Sequence, residues 1–479
     1  EDLRQVLREA ALCVMQSGNE TAQLSMLKGR FTDSTNPVAE LLKQAQKETE
    51  KTEDKALNNL LTAFYLKPGK GDRTGSVEFA HKSFGEFLFA ERLQVAFEDW
   101  IETDKRGRLR MSEVEVSRRV YDLLGYGVLT AEVVEYLKEK LFSSVSSVDD
   151  LVPLFQRLKQ FYEDWCAGAF IDGVPSENWP QIKMMQLSAV DIPIGLRQID
   201  VYAGLNVMIL LFSLHCYGQT QVEEDKRSLL HFHPCGNLAL DDDRRKLLRI
   251  IGYSQILGFN GFTTTVGPFL SCVDLSVSDF NRTNLSNANF SKADLVGADF
   301  SSANLSDVNF FCAKLSGAIC TYANLSGATL NCANLSDVNL GGATLWNAKL
   351  TATYLSGANL SGANLLGAAC QSADFSNTNL SCADFGGADL STANLSGANI
   401  VRADLMSADC RRANFFNTNL TGVDFSGADI RNADFSSANL NDVNLEGIRF
   451  NQQTIWGAAR GLETAKNLPD ALKQQLGLT

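Results

Sequence analysis

The stretch Ala358 to Phe375 reads ANLSGANLLGAACQSADF, with Leu360, Leu365, Cys370 and Phe375 marking an apolar residue at every fifth position. Almost the same five letters recur in register from about Leu270 to Ile455. An interior residue must keep facing one interior, so a period of five has to be tested against the two ordinary periods. On an α-helix five residues advance about 500°, well beyond a full turn, and the apolar set would spiral onto every side. On a straight strand five is odd, so each repeat would flip its apolar residue to the opposite face. The pattern stays inside only where the chain bends by a similar amount in every repeat, which makes it a solenoid.

Within each repeat the Leu or Phe and the small residue two before it, as at Ala288, Ala293 and Ala298, are expected to point inward. A polar residue lies between them, as at Asn289, Asp294 and Asp299. The other two positions, often Ser-Gly as at Ser326-Gly327 and Ser361-Gly362, suit a corner. The units ANLSG, ADLVG and ADFSS resemble the A-[DN]-L-x-x repeat of the pentapeptide-repeat proteins. That resemblance implies an all-β, right-handed quadrilateral β-helix with four repeats per coil, here over residues 263–457 with no insertion. Its length would be about nine and a half coils, or about 45 Å at a strand spacing of about 4.8 Å.

The chain has 479 residues and 45% hydrophobic content, enough for several cores. A net charge of −13 argues against nonspecific binding to nucleic acid or anionic lipid. The apolar run Asn206 to Leu214 is about half of the roughly 20 residues a bilayer span needs, so it reads as a buried helix and no membrane association is expected. The opening EDLRQVLREAALCVM is amphipathic and lacks the order of a secretory signal. Its first residue is Glu, so the chain is expected to be a piece of a longer protein. Eleven Cys spread along the chain suit free thiols in a reducing cytoplasm.

Residues 20 apart should stack, which sorts the outward positions onto faces. Trp346, Leu366 and Met406 fall at one corner position, with Gly386 between the last two, as an apolar strip of the kind that marks a protein partner's surface. Alternatively the helical part of the chain covers it. Arg411 and Arg431 should stack with Arg412 beside them. That cluster reads either as a phosphate or carboxylate site or as a solvated patch neutralised by Asp409, Asp429 and Asp434. Cys272, Cys312 and Cys332 share a stack as reduced fillers. Certain pentapeptide-repeat proteins mimic B-DNA and engage DNA gyrase, and inhibition of a type II topoisomerase is therefore the alternative function. Against it, Asp274 to Arg449 holds 16 Asp/Glu and nine Lys/Arg, and many outward positions are Asn.

Residues 1 to about 260 are mainly helical by pattern, notably NPVAELLKQAQKETEK after Asn36, AEVVEYLKEKLFSS, DDLVPLFQRLKQFYEDW and the segment Ile194 to Gly218. Between them, LLTAFYLKPGKGDRTGSVEFAHKSFGEFLFAERL predicts two strands around the turn Pro68 to Gly75. A helix opening at Ser83 would follow, capped by Ser83 with Glu86 three residues on. This winged-helix-like hairpin is similar to the region that follows the ATPase core in NACHT-type STAND NTPases, through Phe79, His81, Ser83, Phe84, Glu86, Phe87 and Leu88, with Phe89 departing from the usual small residue. The resemblance implies an NTPase domain upstream in cis and a nucleotide-sensing or closed-state contact by His81, Ser83, Phe84 and Glu86. A packed junction histidine is the plainer account of His81. GxxxxGK[ST] is absent, so no nucleotide hydrolysis is expected. His215 and Cys216 with His231, His233 and Cys235 match no common zinc module, and neither metal nor cofactor is expected.

Apolar residues at helical spacing from Leu462 to Leu476 predict a helix that caps the solenoid or pairs with a second copy, and RRKLLRIIGYSQILGF predicts another before Leu270. The expected organisation is multi-domain: a winged-helix-like region at 1–110, a helical domain with the N-terminal cap at 111–262, the β-helix at 263–457 and a capping helix at 458–479. The function expected is that of a noncatalytic, cytoplasmic interaction or sensor module.

Overall fold

The computed structural model describes residues 2–18, 21–32, 38–39, 43, 66–68, 76–144, 147–171, 173–174, 178–236 and 243–477. The chain divides into two compact units, Glu1–His231 and Phe232–Thr479.

The first unit is mainly helical. It runs α1 (Asp2–Gln16), β1 (Thr21–Gln23), α2 (Leu24–Thr32), β2 (Leu66–Pro68), β3 (Ser76–Phe79), α3 (Lys82–Ile101), α4 (Glu113–Leu124), α5 (Ala131–Ser144), α6 (Val152–Cys166), α7 (Trp179–Ser188) and α8 (Leu196–Gln221). The expected hairpin is present: β2 and β3 are antiparallel with Leu66 opposite Phe79, and β1 joins the other edge of β3 with Ala22 opposite Val77. Residues 69–75 of its turn, and nearly all of the helix expected after Asn36, lie outside the described residues.

Helix α3 begins at Lys82, a residue earlier than Ser83, with exposed His81 as N-cap and no side-chain capping bond. Glu86 is 2% exposed and makes no capping bond to the backbone at the helix start; Lys82 Nζ lies 3.7 Å and Thr130 Oγ1 3.4 Å from its Oε1. The Ser83–Glu86 capping box is therefore not formed, because the chain turns into the helix before Ser83.

The apolar run expected to be a buried helix lies in α8, whose 26 residues are long and apolar enough to cross a membrane and are mostly buried here. Its polar residues are answered by neighbours. Asp200 accepts from Tyr121 Oη at 2.6 Å and Trp165 Nε1 at 3.1 Å. Asn206 Oδ1 accepts the Leu129 N–H, and its Nδ2 donates to Leu124 O and Gly127 O.

The second unit opens with α9 (Lys246–Ser254) and α10 (Gly261–Thr265) and closes with α11 (Asp470–Leu476). Between them every fifth residue forms a parallel bridge with the residue 20 further on, from Asp274↔Asp294 to Asp429↔Arg449. Four columns of bridges at this spacing are four sides of a coil. The Leu/Phe and Ala positions are closed to solvent from Leu285 to Leu445; Ala358, Leu360, Ala363, Leu365, Ala368, Cys370, Ala373 and Phe375 are each at most 1% exposed. Phenylalanines stack face to face along the bore, as at Phe280–Phe300 and Phe415–Phe435.

The repeat does not run unbroken to its end. Asp434 pairs with Ile455 and Asn439 with Arg460, a spacing of 21. One extra residue before Ile455 shifts the phase, so Ile455, expected inside, is 49% exposed. Trp456 takes the interior place and stacks on Phe435 at 4.8 Å. The predicted Leu462–Leu476 helix is a 3₁₀ turn at Leu462–Thr464 followed by α11. Between them Lys466 pairs with Asn444, and Pro469, which lacks an N–H, stands just before α11.

Candidate functional site

The outward faces of the solenoid are built by one local device. In most repeats an Asn or Asp stands before the interior residue and accepts the backbone N–H two residues on, as Asp299 does from Ser301 at 2.8 Å and Asn364 from Leu366 at 3.0 Å. The corner's second residue is left-handed, with φ of +57° at Ser302 and +67° at Gly367. This Asx turn explains why the polar position is Asn or Asp and seldom Ser. Sequence reasoning treated that position as merely polar, although its fixed offset from the corner was the available signal. Asn side chains also bond one rung back, as Asn359 Nδ2 does to Asn339 Oδ1 at 3.0 Å.

Because the Asx residue and the residue two after it point out from one side, each face presents two columns. One face carries Thr344 and Trp346, Asn364 and Leu366, Asp384 and Gly386, Asp404 and Met406, then Asp424 and Ser426 on successive rungs. Trp346, Leu366 and Met406 are 49%, 41% and 46% exposed. Leu366 leans over Gly386, where an added Cβ would come 2.9 Å from its Cδ1. Beside this strip stand Asp384, Asp404 and Asp424 on consecutive rungs, and none makes an ion pair among the described residues. Each has one oxygen held by the N–H two residues on. The two columns contain no Lys or Arg from Asn304 to Glu446. The structure thus brings the apolar strip together with an acidic column that sequence reasoning did not single out.

The arginine cluster lies on the next face. Arg411 forks onto Asp409 and Arg431 onto Asp429, at 2.6 and 2.7 Å, and Arg449 reaches Asp429 at 3.7 Å. Hydrogen bonds from Arg431 hold the Asp429 carboxyl below its ordinary value against burial. Arg412, in the neighbouring corner column, makes no ion pair among the described residues. Neutralised locally, Arg411 and Arg431 offer little free charge to an anion.

At the β3–α3 junction His81, Ser83 and Phe84 are exposed, Phe84 packs edge-on against Phe79, and Glu86 is buried near Lys82. His233 accepts the Cys235 N–H on Nδ1 and donates from Nε2 to Ser276 O. All eleven cysteines are free, and burial pushes the Cys320 thiol up to about 12. No catalytic constellation is evident among the described residues.

A family model described as Pentapeptide repeats matches residues 270–307, 309–347, 347–381, 368–405 and 408–447. No curated protein matches the chain. Among solved structures the chain is similar to HetL, a pentapeptide-repeat protein involved in heterocyst differentiation regulation from the cyanobacterium Nostoc sp. strain PCC 7120. Identity is 32% over 41% of this chain and 90% of HetL, with a TM-score of 0.29. A pentapeptide-repeat protein of the Arabidopsis thaliana thylakoid lumen is 27% identical over 29% of this chain and 68% of that one, with a TM-score of 0.17. A trypsin-treated form of QnrB1, a plasmid-mediated fluoroquinolone resistance protein, is 20% identical over 37% and 90%, with a TM-score of 0.20.

Proposed function

The chain belongs to the pentapeptide-repeat family, and from that premise we propose that it is a noncatalytic interaction module whose solenoid docks a protein partner on the Trp346 face. The observation that carries this is the pairing of half-exposed Trp346, Leu366 and Met406 with Asp384, Asp404 and Asp424, carboxylates that make no ion pair among the described residues. Large apolar side chains anchor interfaces, and unneutralised charge selects the partner's sign. The partner is a segment carrying both apolar and basic residues.

The helical unit, in this proposal, is the regulatory region following the ATPase core of a NACHT-type NTPase. It is linked in cis to that core and works in the cytoplasm. Support comes from the β2–β3 hairpin leading directly into α3 with His81 at the junction. The proposed segments remain 1–110, 111–262, 263–457 and 458–479, with the last as a cap or a contact with a second copy; fully buried Leu472 on α11 favours the cap.

The test is fluorescence anisotropy with a labelled amphipathic Lys/Leu peptide, comparing the wild type with Trp346→Ser/Leu366→Ser/Met406→Ser and with Asp384→Asn/Asp404→Asn/Asp424→Asn. Saturable binding that each triple variant weakens by about tenfold or more supports the proposal. Equal binding by all three proteins overturns it. A parallel gyrase supercoiling assay addresses topoisomerase inhibition, and inhibition there would favour that function instead.

A further inference from the structure

Within the first unit, α1, α2, α3, α4 and α7 line a cavity of about 680 Å³, within the size range of small-molecule sites. Arg8, Arg30, Arg92, Arg118, Arg119 and Lys183 line it, against the carboxylates of Glu9, Asp99 and Asp122. A chain of net charge −13 thus concentrates positive charge at one concave place. Among the described residues the ion-paired neighbours leave this balance unchanged. Glu91 and Glu115 add two negative charges, while Arg4 and Lys140, both on Glu91, add two positive ones.

The interior of the cavity is the part least screened by water. Arg30 donates through Nε to Glu9 and through Nη1 and Nη2 to the two Asp122 oxygens, at 3.0 and 2.8 Å. Lys183 Nζ donates to Asp122 Oδ1 at 2.7 Å, and Arg92 Nε to Glu9 Oε1 at 2.5 Å. Three cations therefore share two carboxylates, with the cationic side chains only 5% to 16% exposed. Arg92 uses only Nε; its Nη groups make no hydrogen bond among the described residues. Burial pushes the Lys183 ammonium below its ordinary value, against the pull of Asp122 and with the help of Arg30. An uncompensated buried cation is strongly disfavoured, and an anion entering beside it supplies the missing charge.

We infer that this cavity binds a small organic anion carrying more than one phosphate or carboxylate group. Arg92 and Lys183 receive one anionic group in the interior. Arg119, 30% exposed, receives the other through Nη2, which makes no hydrogen bond among the described residues, and Met26, Val95 and Ile182 provide apolar wall for the body of the molecule. The site is independent of the docking face on the solenoid.

The test is calorimetric titration of the full chain with inorganic pyrophosphate and, separately, with citrate, at ionic strength matched with sodium chloride. Saturable binding of either with a stoichiometry near one supports the inference, and the stronger arm distinguishes phosphate from carboxylate chemistry. Arg92→Gln should weaken it by about tenfold, the loss expected for one charge-assisted contact. Should Arg92→Gln fail to fold, Arg119→Gln decides the matter, because this residue is partly exposed. Arg411→Gln, on the solenoid, should leave affinity unchanged. No saturable binding of either probe at millimolar concentration overturns the inference, as does binding that the cavity variants and Arg411→Gln weaken equally.

Discussion

At the scale of single residues, the solenoid separates positions that set stability from positions free to carry recognition. Trp346 stands outward at 49% exposure. Trp346→Ser should therefore shift the chemical-denaturation free energy by no more than about 0.5 kcal/mol; a loss of several kcal/mol would mean that the indole is packed. Ala373 lies in the bore with no exposure, between rungs that place Leu and Phe side chains in the same interior. Ala373→Leu should cost about 1–3 kcal/mol in the same measurement, because the bore has no room for three more carbons. These opposite sensitivities were legible in the sequence, since a strict period of five identifies which letters face inward. The Asp384–Asp404–Asp424 column was less legible: Asp and Asn serve the Asx turn equally, so only the assembled rungs show where the charges lie side by side.

At the scale of elements, close approach decides what the apolar pattern alone leaves open. Helix α8 carries Gly204 where an added Cβ would lie 2.0 Å from the Trp165 ring. That ring cannot swing away freely, because Asp200 accepts its Nε1–H at 3.1 Å. Alanine at this position would gain about 1 kcal/mol in helix propensity, but the overlap costs about 1–3 kcal/mol and the hydrogen bond is put at risk as well. Gly204→Ala should thus lower the thermal midpoint, whereas a rise would show that α6 and α8 are loosely packed. The apolar run identified α8 readily, yet nothing in the pattern marks Gly204, since the contact joins helices distant in sequence. The start of α3 and the phase shift at Ile455 were misread for a related reason. A capping motif describes what Ser83 and Glu86 are able to do, and the hairpin entry determines where the turn begins. Likewise, the period of five remains apparent to Ile455 until Trp456 competes for the same interior place.

Across the whole molecule the two units should answer acid differently, because the densest buried ion-pair network lies in the first. Burial alone would raise the Glu91 carboxyl, but hydrogen bonds from Arg4 and Lys140, with their charges, outweigh it and bring it from the ordinary 4.5 down to about 2. Glu9 and Asp122 also titrate below their ordinary values, as Arg30 with Arg92 or Lys183 overcomes burial. A carboxylate depressed in the folded state stabilises it above the unfolded value, and this contribution is lost as pH falls toward the folded one. For Glu91 the window is therefore pH 4.5 to about 2. Arg4 is half exposed, so solvent screening reduces the contribution of Glu91 to about 1–2 kcal/mol. The helical circular-dichroism signal arises chiefly from α1–α8, so the urea midpoint followed at 222 nm reports the first unit. That midpoint should fall through the window in the wild type. Glu91→Gln should be less stable at neutral pH, where Arg4, Arg8 and Lys140 lose their shared carboxylate, and should show a shallower fall on acidification. A variant as pH-sensitive as the wild type would assign the acid response to Glu9 and Asp122 instead, and a wild type insensitive between pH 4.5 and 2 would show that the network adds no net stability.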